Sequence, residues 1–140
     1  MTARRARLLA VTLAASVAGC TSARREGPPA APSALTFPSE LTRGSALGLA
    51  RNVLRRAGWP APAPAGDKLA TAWRETPAGP LRLVVSATDT RGGASTLVTV
   101  RGEARRGEAA VPVAHGSGAA WATVEAAARH VGAEVRYARP

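Results

Sequence analysis

The residue types that most often do chemistry are scarce in this chain, so each can be considered individually. Cys20 is the only cysteine, which excludes a disulfide within one chain and a cysteine-based metal site. The two histidines are His115 and His130, and neither has further ligands at a spacing typical of metal sites. The glutamates are dispersed, without the pairing that general acid–base catalysis uses. The sequence therefore predicts no catalytic residue, no metal and no cofactor.

His115 and Ser117 come nearest to a base and nucleophile pair, because hydrolases activate a serine hydroxyl with an imidazole. They lie two residues apart in the loop His115-Gly116-Ser117-Gly118. The favoured interpretation makes Ser117 the N-cap of the helix that follows and places His130 in the last turn of that helix, where positive charge is favourable. A hydrolase is the alternative, and it requires an activity that Ser117→Ala abolishes.

The chemistry that the sequence does predict belongs to Cys20 and depends on the residues before it. Three arginines within the first seven residues form a positive start, and ten uncharged residues, Leu8 to Val17, follow. This length suits the apolar core of a secretory signal and falls short of the about 20 residues that span a bilayer. Residues 1–19 are therefore predicted to be a signal peptide.

The segment Val17-Ala18-Gly19-Cys20 resembles the lipobox of bacterial lipoproteins, in which a branched apolar residue and two small residues precede the cysteine. The resemblance implies cleavage between Gly19 and Cys20, a diacylglycerol thioether on Cys20, and acylation of the new amino group. The implied partner is a membrane, reached through the acyl anchor. Thr21 stands where an aspartate retains enterobacterial lipoproteins in the inner membrane. The expected location is thus the periplasmic face of the outer membrane, or the cell membrane in an organism with one membrane.

The charge of the chain is strongly basic, with a formal net value of +10. The arginines are scattered with little aromatic interleaving, which does not favour a nucleic-acid interface. Removal of the signal peptide leaves about 120 residues, enough for one small domain. The expected partners are the membrane and an envelope protein, and not nucleic acid.

The chain after the signal peptide is predicted to divide at about residue 40. Residues 20–40 contain the lipidated Cys20 and read as a flexible tether, because several prolines lie among Ala, Ser and Gly with few core-forming side chains. Residues 41–140 are predicted to form the single folded domain.

The first helix of the domain is predicted over Ser45–Ala57, where apolar residues recur at helical spacing. Ser45 can cap its start, and Thr42 is a possible earlier cap. Gly58 suits a left-handed position after the helix, and Trp59 is expected to fold back on its last turn.

The second helix is predicted over residues 118–131, because its apolar residues form a single stripe. Ser117 is its expected cap and Gly132 its expected end. The alternation in Ala133–Tyr137 favours a short final strand.

Three strands are predicted between the helices, over residues 68–75, 81–88 and 95–103, because apolar and polar residues alternate there. Short turns between them imply an antiparallel meander. Residues 60–66 read as a Pro-Ala loop. Residues 109–114 allow either a short edge strand or a loop.

These elements predict an α+β fold, a two-layer α-β-β-β-α sandwich in which a meander of three or four strands packs on two helices. The two helices are expected to cover the apolar face of the sheet, and the core is thin. The predicted core residues are Leu47, Leu54, Trp59, Leu69, Trp73, Leu83, Val85, Val98, Val100, Trp121, Val124 and Val131.

The order of elements, with Gly58-Trp59 after the first helix and Gly92-Gly93 between the last two strands, resembles small helix-grip lipoprotein domains over about residues 41–132. Relatives of this kind include the paired domains of the C-type accessory lipoprotein of the outer-membrane β-barrel assembly machinery. The resemblance implies a non-enzymatic envelope role, as an interaction or scaffold domain. The alternative is a carrier of a small apolar ligand or lipid in a groove between sheet and helices. An open apolar pocket favours the carrier, and a filled core favours the scaffold.

Overall fold

The structure, a computed structural model, describes residues 33–60, 62–90 and 92–140. Its fold is α+β, as predicted, with two helices and one antiparallel sheet. The sheet has seven strands, so the predicted count of three or four is too low. The elements in chain order are β1 (Ala34–Ser39), α1 (Arg43–Arg56), β2 (Ala63–Ala65), β3 (Lys68–Ala70), β4 (Arg74–Thr76), β5 (Gly79–Asp89), β6 (Thr96–Arg106), β7 (Ala109–Pro112) and α2 (Ala119–Tyr137).

Two long strands, β5 and β6, form a hairpin at the centre of the sheet. They pair from Leu81 opposite Ala104 to Asp89 opposite Thr96. Alternate residues of β5 point toward the helices, and these are the apolar ones, as the period of a half-buried strand requires. The two strands predicted at these positions are confirmed. β5 extends beyond both of its predicted bounds, and β6 begins one residue later than predicted and continues three residues further.

Each edge of this hairpin is covered by two short strands in succession. β3 and β4 both pair with β5, β1 and β7 both pair with β6, and β2 lies outside β3. On both edges, the pairing passes from one short strand to the next at the same residue pair, Leu83 of β5 opposite Gly102 of β6. The Thr71 N–H donates to the Leu83 carbonyl at 2.9 Å, and the Thr71 hydroxyl accepts from the Leu83 N–H at 3.0 Å. On the other edge, the Val113 N–H donates to the Gly102 carbonyl at 3.0 Å.

The strand predicted over residues 68–75 is therefore two strands, β3 and β4. The break arises because the Thr71 hydroxyl, and not a backbone carbonyl, accepts the hydrogen bond from the Leu83 N–H. The alternation of residue types does not reveal this substitution. The loop predicted over residues 60–66 is also wrong in part, since it contains β2. Of the two possibilities for residues 109–114, the edge strand is the one observed, as β7.

The domain begins earlier than predicted, at β1. This strand pairs with β6 from Ala34 opposite Arg101 to Ser39 opposite Thr96. The end of the predicted tether over residues 20–40 thus belongs to the sheet, and the predicted domain start at residue 41 is wrong. Pro38 makes the segment resemble a linker. An edge strand nevertheless tolerates proline, because one side of the strand makes no hydrogen bonds to a neighbouring strand. Two further outer strands also contain proline: Pro64 in β2 and Pro112 in β7.

Helix α1 has the ends that local sequence signals describe. Thr42 is its N-cap, and its hydroxyl oxygen accepts from the Ser45 N–H at 3.3 Å, so the earlier of the two candidate caps is correct. At the other end, Gly58 has a positive φ of 86°. The Trp59 N–H donates to the Leu54 carbonyl at 2.9 Å, which confirms the predicted helix end.

The N-terminus of helix α2 differs from the prediction. Its N-cap position is Gly118, which makes no side-chain hydrogen bond. The Ser117 hydroxyl instead donates to the Ala114 carbonyl at 2.6 Å. Ser117 is therefore a turn residue and not the predicted cap.

The C-terminus of α2 also differs from the prediction, because the helix continues through Gly132 to Tyr137. The predicted end at Gly132 and the predicted strand over residues 133–137 are both wrong. A Cβ at Gly132 would overlap the ring of Phe37 on β1. This glycine thus lets the helix approach the strand closely, and the buried Val131 and Val135 keep the surrounding turns on the sheet.

The core lies between one face of the sheet and the two helices. All predicted core residues are buried except Leu47 and Trp73, which are half-buried. A Cβ at Gly102 would overlap Val124, so α2 crosses β6 in direct contact with the strand backbone. The core also includes residues that were not predicted, mostly small ones or ones outside the apolar stripes: Ala46, Ala50, Val53, Leu81, Ala128 and Val135.

Candidate functional site

The residues with the strongest predicted chemistry, Gly19 and Cys20, lie outside the part of the chain that the structure describes. Cleavage between them and lipidation of Cys20 stay predictions from the sequence. The other side chains considered for catalysis or metal binding fall within the described residues and can be placed.

His115 and Ser117 lie in the turn before α2, and each makes a contact of its own. The Ser117 hydroxyl donates to the Ala114 carbonyl. The His115 ring meets the Trp121 ring edge-on, with centroids 5.5 Å apart. The hydroxyl is thus bonded to backbone and not to imidazole, and this turn does not present the activated serine that the hydrolase alternative requires.

His130 lies on the exposed side of α2, in the middle of the helix and not in its last turn as predicted. The prediction is wrong because α2 continues well past this residue. Across residues 33–60, 62–90 and 92–140, no three His, Cys, Asp or Glu side chains come together in the manner of a metal site.

A groove of about 540 Å³ opens on the surface of the described residues, and we name it the α2 groove. One wall is the outer side of α2, and the other is β4 with the turn that follows it. The C-terminal end of α1 closes one end. The lining residues are Ala57, Trp59, Arg74, Glu75, Thr76, Pro77, Ala122, Thr123, Ala126, Ala127 and His130.

The charged feature of the α2 groove is Arg74 on β4. Its guanidinium carbon lies 4.9 Å from the centre of the Trp59 ring, within cation–π range. Its Nη1 also donates to the Ala57 carbonyl at 3.3 Å, at the C-terminus of α1. Among the described residues, no carboxylate lies within ion-pair distance of Arg74. The groove therefore holds one positioned cation whose charge is available to a ligand.

The helical wall of the groove is made of small side chains. Ala122 and Ala126 are exposed, Ala127 is buried, and His130 stands at the far end. The Thr123 hydroxyl donates to the Ala119 carbonyl at 2.9 Å, so its hydrogen is occupied within the helix. This arrangement suits an extended apolar segment with an acidic group that reaches Arg74.

The sheet face away from the helices carries a polar cluster around Glu103. Its Oε2 accepts from Arg82 and its Oε1 accepts from Arg101, each at 3.0 Å. Arg82 also lies over the Trp73 ring, 4.6 Å from its centre, which explains why Trp73 is not a core residue as predicted. Glu103 is 7% exposed and both of its oxygens are occupied, so the cluster joins strands and does not present a free carboxylate.

An ion pair also lies on the outer side of α2. Arg129 donates to Glu125 at 2.8 Å, and this hydrogen bond is the main reason that the pKa of Glu125 is lowered from its ordinary value. The Trp121 indole N–H makes no direct hydrogen bond within the described chain, but it lies near enough to Glu125 to favour the charged carboxylate.

The sequence did not indicate the α2 groove, because its parts lie far apart along the chain. Trp59 was predicted as a core residue, and Arg74 lies at a polar position in the alternation of the strand predicted over residues 68–75. One signal was present: Ala122 and Ala126 stand four residues apart on α2, outside the stripe of large apolar residues. A helix with a second, small-residue face is able to line a groove.

No protein-family profile and no curated protein sequence matches this chain. Among the described residues, no helix has the length and apolar character needed to cross a membrane.

Proposed function

We propose that this protein is a lipid-anchored, non-enzymatic interaction domain of the bacterial cell envelope, and that it binds a partner protein in the α2 groove. The groove is the observation that carries the binding part of the proposal. It combines an apolar helical wall, a positioned Arg74 and an open side along which a chain can lie. The lipobox resemblance at residues 17–20 supports the anchor.

The filled interior favours an interaction domain over a carrier that encloses its ligand. Leu83, Val85 and Val100 on the inner sheet face are 0% exposed, as are Val124 and Val131 on α2. The close contact between Gly102 and Val124 leaves the helix and the sheet no intervening space at that point.

The expected site of action is the periplasmic face of the outer membrane, or the cell membrane in an organism with one membrane. The helix-grip resemblance is consistent with this, since it implies an envelope role without catalysis. Acyl chains on Cys20 would hold the domain at that membrane through a two-chain or three-chain anchor, which is strong enough for stable attachment.

The anchor is tested by expressing the full chain and its Cys20→Ser variant in a bacterium that processes lipoproteins. The wild-type protein is expected to incorporate labelled palmitate and to enter the detergent phase in a phase-separation assay. The variant is expected to do neither. Equal palmitate labelling of both proteins would exclude Cys20 as the lipidation site.

The groove is tested by crosslinking the acylated protein in its native membrane and identifying what is attached. Ala126→Arg places a long charged side chain in the groove from an exposed helical position. Ala110→Arg makes the same change on β7, at an exposed position outside the groove. A defined partner that is lost with Ala126→Arg and kept with Ala110→Arg is expected. Loss with neither variant would place the contact elsewhere.

A carrier of a small amphiphile is the second candidate, and Arg74 is the observation that favours it. An apolar ligand with one carboxylate can lie along the alanines of α2 and meet this guanidinium. Native mass spectrometry of the protein extracted from its membrane tests this. A bound small molecule that disappears in Arg74→Gln would favour the carrier, and a ligand-free spectrum would favour the interaction domain.

A further inference from the structure

Helix α1 presents to solvent a group of basic side chains that the fold itself does not use. Arg51, Arg55 and Arg56 are exposed and lie on its last two turns; we name them the α1 arginine face. The helix contains no aspartate or glutamate, so nothing on α1 offsets their charge. Asn52, exposed between them, adds a neutral hydrogen-bonding group to the same surface.

Contacts with the rest of the described chain leave this face largely uncompensated. Arg56 comes no closer than 3.9 Å to Glu134, with both side chains well exposed. Arg51 and Arg55 have no carboxylate within 4.0 Å among the described residues. By contrast, four other arginines, at positions 43, 82, 101 and 129, pair with carboxylates at 2.8 to 3.4 Å.

The hydrogen-bond donors of this face suit phosphate groups. Asn52, Arg55 and Arg56 lie together at one shallow, solvent-open site. A guanidinium presents its donors in a planar fork that matches the oxygens of a phosphate, and an amide adds a further donor. Arg55 and Arg56 also lie at the helix C-terminus, where positive charge is favourable, so their clustering there does not destabilise α1.

We propose that the α1 arginine face is a docking surface for the anionic phospholipid headgroups of the membrane that carries the Cys20 anchor. This rests on the proposed function for the choice of membrane as the occupant. Thirteen residues, 20–32, precede the described domain, which limits its distance from an anchored Cys20 to about 45 Å even for a fully extended chain. The domain thus stays near the headgroups, and attraction between the arginines and the anionic headgroups turns the α1 arginine face toward the membrane.

The proposed contact determines which side of the domain faces the membrane. Electrostatic attraction to a charged surface falls off over about 8 Å at physiological ionic strength, so only arginines on the apposed face contribute fully. None of these arginines lines the α2 groove, whose walls come from α2, β4 and the residues just after α1.

The test uses the unacylated chain 21–140, because every core residue and every side chain packed against the core lies between Leu35 and Ala138. Its binding is measured to vesicles of phosphatidylcholine alone and to vesicles in which about one third is phosphatidylglycerol. The test variant carries Arg51→Gln, Arg55→Gln and Arg56→Gln. The control carries Arg105→Gln, Arg106→Gln and Arg139→Gln, which are exposed positions outside α1 and remove the same charge.

The wild-type chain is expected to bind the anionic vesicles and not the neutral ones, and to lose binding at high salt. Each arginine at an anionic surface contributes about five-fold to partitioning, so the α1 variant is expected to bind on the order of 100-fold more weakly. The control is expected to lose less than about ten-fold, because its arginines do not face the lipid. Equal losses in the two variants, or wild-type binding to neither vesicle, would overturn the proposal.

A second measurement does not depend on those substitutions. Because Cys20 is the only cysteine, the chain 21–140 has none, and Asn52→Cys or Glu108→Cys adds a single labelling site. A polarity-sensitive fluorophore at position 52 is expected to respond to anionic vesicles, and one at position 108 on the β6–β7 turn is not. A response at position 108 alone would overturn the assigned face. Neither assay requires acylation, so a failure of Cys20 lipidation and a failure of lipid docking give separate results.

Discussion

Helices α1 and α2 cover the same face of the sheet, but they are held there in different ways. α1 has a side-chain N-cap at Thr42 and a glycine-terminated C-terminus at Gly58, both of which are local features. α2 lacks a side-chain cap and approaches the sheet closely at Gly132 and against Gly102 of β6. Their outer sides differ too, since α1 presents arginines and α2 presents the alanines of the groove. The comparison shows that one helix is defined mainly by its own sequence and the other by its contacts.

The largest effect is expected where α2 meets the strand backbone. Gly102→Ala places a methyl group against Val124, which is 0% exposed and has no free space to move into. Overpacking of this kind costs about 1–3 kcal/mol of unfolding free energy, measured by urea denaturation. Adding Val124→Ala to Gly102→Ala should recover part of the loss, because removal of the two γ-methyl groups of Val124 clears the space that the methyl group added at position 102 enters. A double variant whose effect is the simple sum would show that the two positions do not interact.

The N-caps give the next effect and a direct comparison between the helices. Thr42→Ala removes the acceptor for the Ser45 N–H and is expected to destabilise the protein by about 1 kcal/mol. Ser117→Ala, the corresponding change before α2, is expected to stay within about 0.5 kcal/mol, because that hydroxyl is exposed and caps nothing. Thermal or urea unfolding of both variants measures this. A larger loss for Ser117→Ala would reverse the assignment of the caps.

A stabilising change is expected on the outer side of α1. A Cβ at Gly48 would meet no atom within 4 Å, and this position has ordinary helical backbone. Gly48→Ala should therefore raise the unfolding free energy by about 0.5–1 kcal/mol, since alanine is the better helix former. Gly132→Ala in α2 makes the same exchange within a helix and should destabilise, because its methyl group would overlap Phe37. The opposite signs test whether α1 is locally determined and α2 is determined by packing.

The smallest effect concerns pH and the outer side of α2. Because Arg129 donates to Glu125, the pKa of Glu125 is lower in the folded protein, so the native state takes up a proton less readily than the unfolded state. The resulting stability is fully present above the unfolded-state pKa and is lost as the pH falls through the folded-state pKa. Glu125→Gln should slightly weaken stability at neutral pH and match the wild type in acid. Glu108→Gln, which removes an exposed carboxylate outside α2, is the matched control.

The sequence predicted the elements that local signals define and did not predict those that depend on tertiary contacts. The ends of α1 and the strands β5 and β6 were predictable because caps, a helix-ending glycine and alternating residues act over a few positions. The end of α2 was not, because Gly132 is a helix-ending signal that contact with Phe37 overrides. The residues of β1 were predicted to belong to the tether, because Pro38 obscures the alternation of Leu35 and Phe37. The break at Thr71 depends on a hydrogen bond to Leu83, twelve residues away, which no local pattern contains.

The candidate site was less predictable than the fold. The α2 groove depends on the placement of Arg74 over Trp59, which is a contact between a strand and the end of α1. A helical projection of the sequence would group the residues of the α1 arginine face. Its significance, however, depends on where the carboxylates of the folded chain lie. Only tertiary structure shows that Arg51 and Arg55 have no acidic neighbour in the described chain, whereas Arg82 and Arg101 do.

The prolines of the outer strands bear on how this domain avoids aggregation. An exposed strand edge is a template on which another chain can add itself, and a long apolar hairpin such as β5–β6 would be a strong one. Here that hairpin is flanked on both edges by short strands, and β1, β2 and β7 each contain a residue that has no N–H to donate. Continuous sheets between neighbouring molecules are thereby discouraged. Encounters between copies, or with a partner, are left to side chains and grooves instead of to backbone.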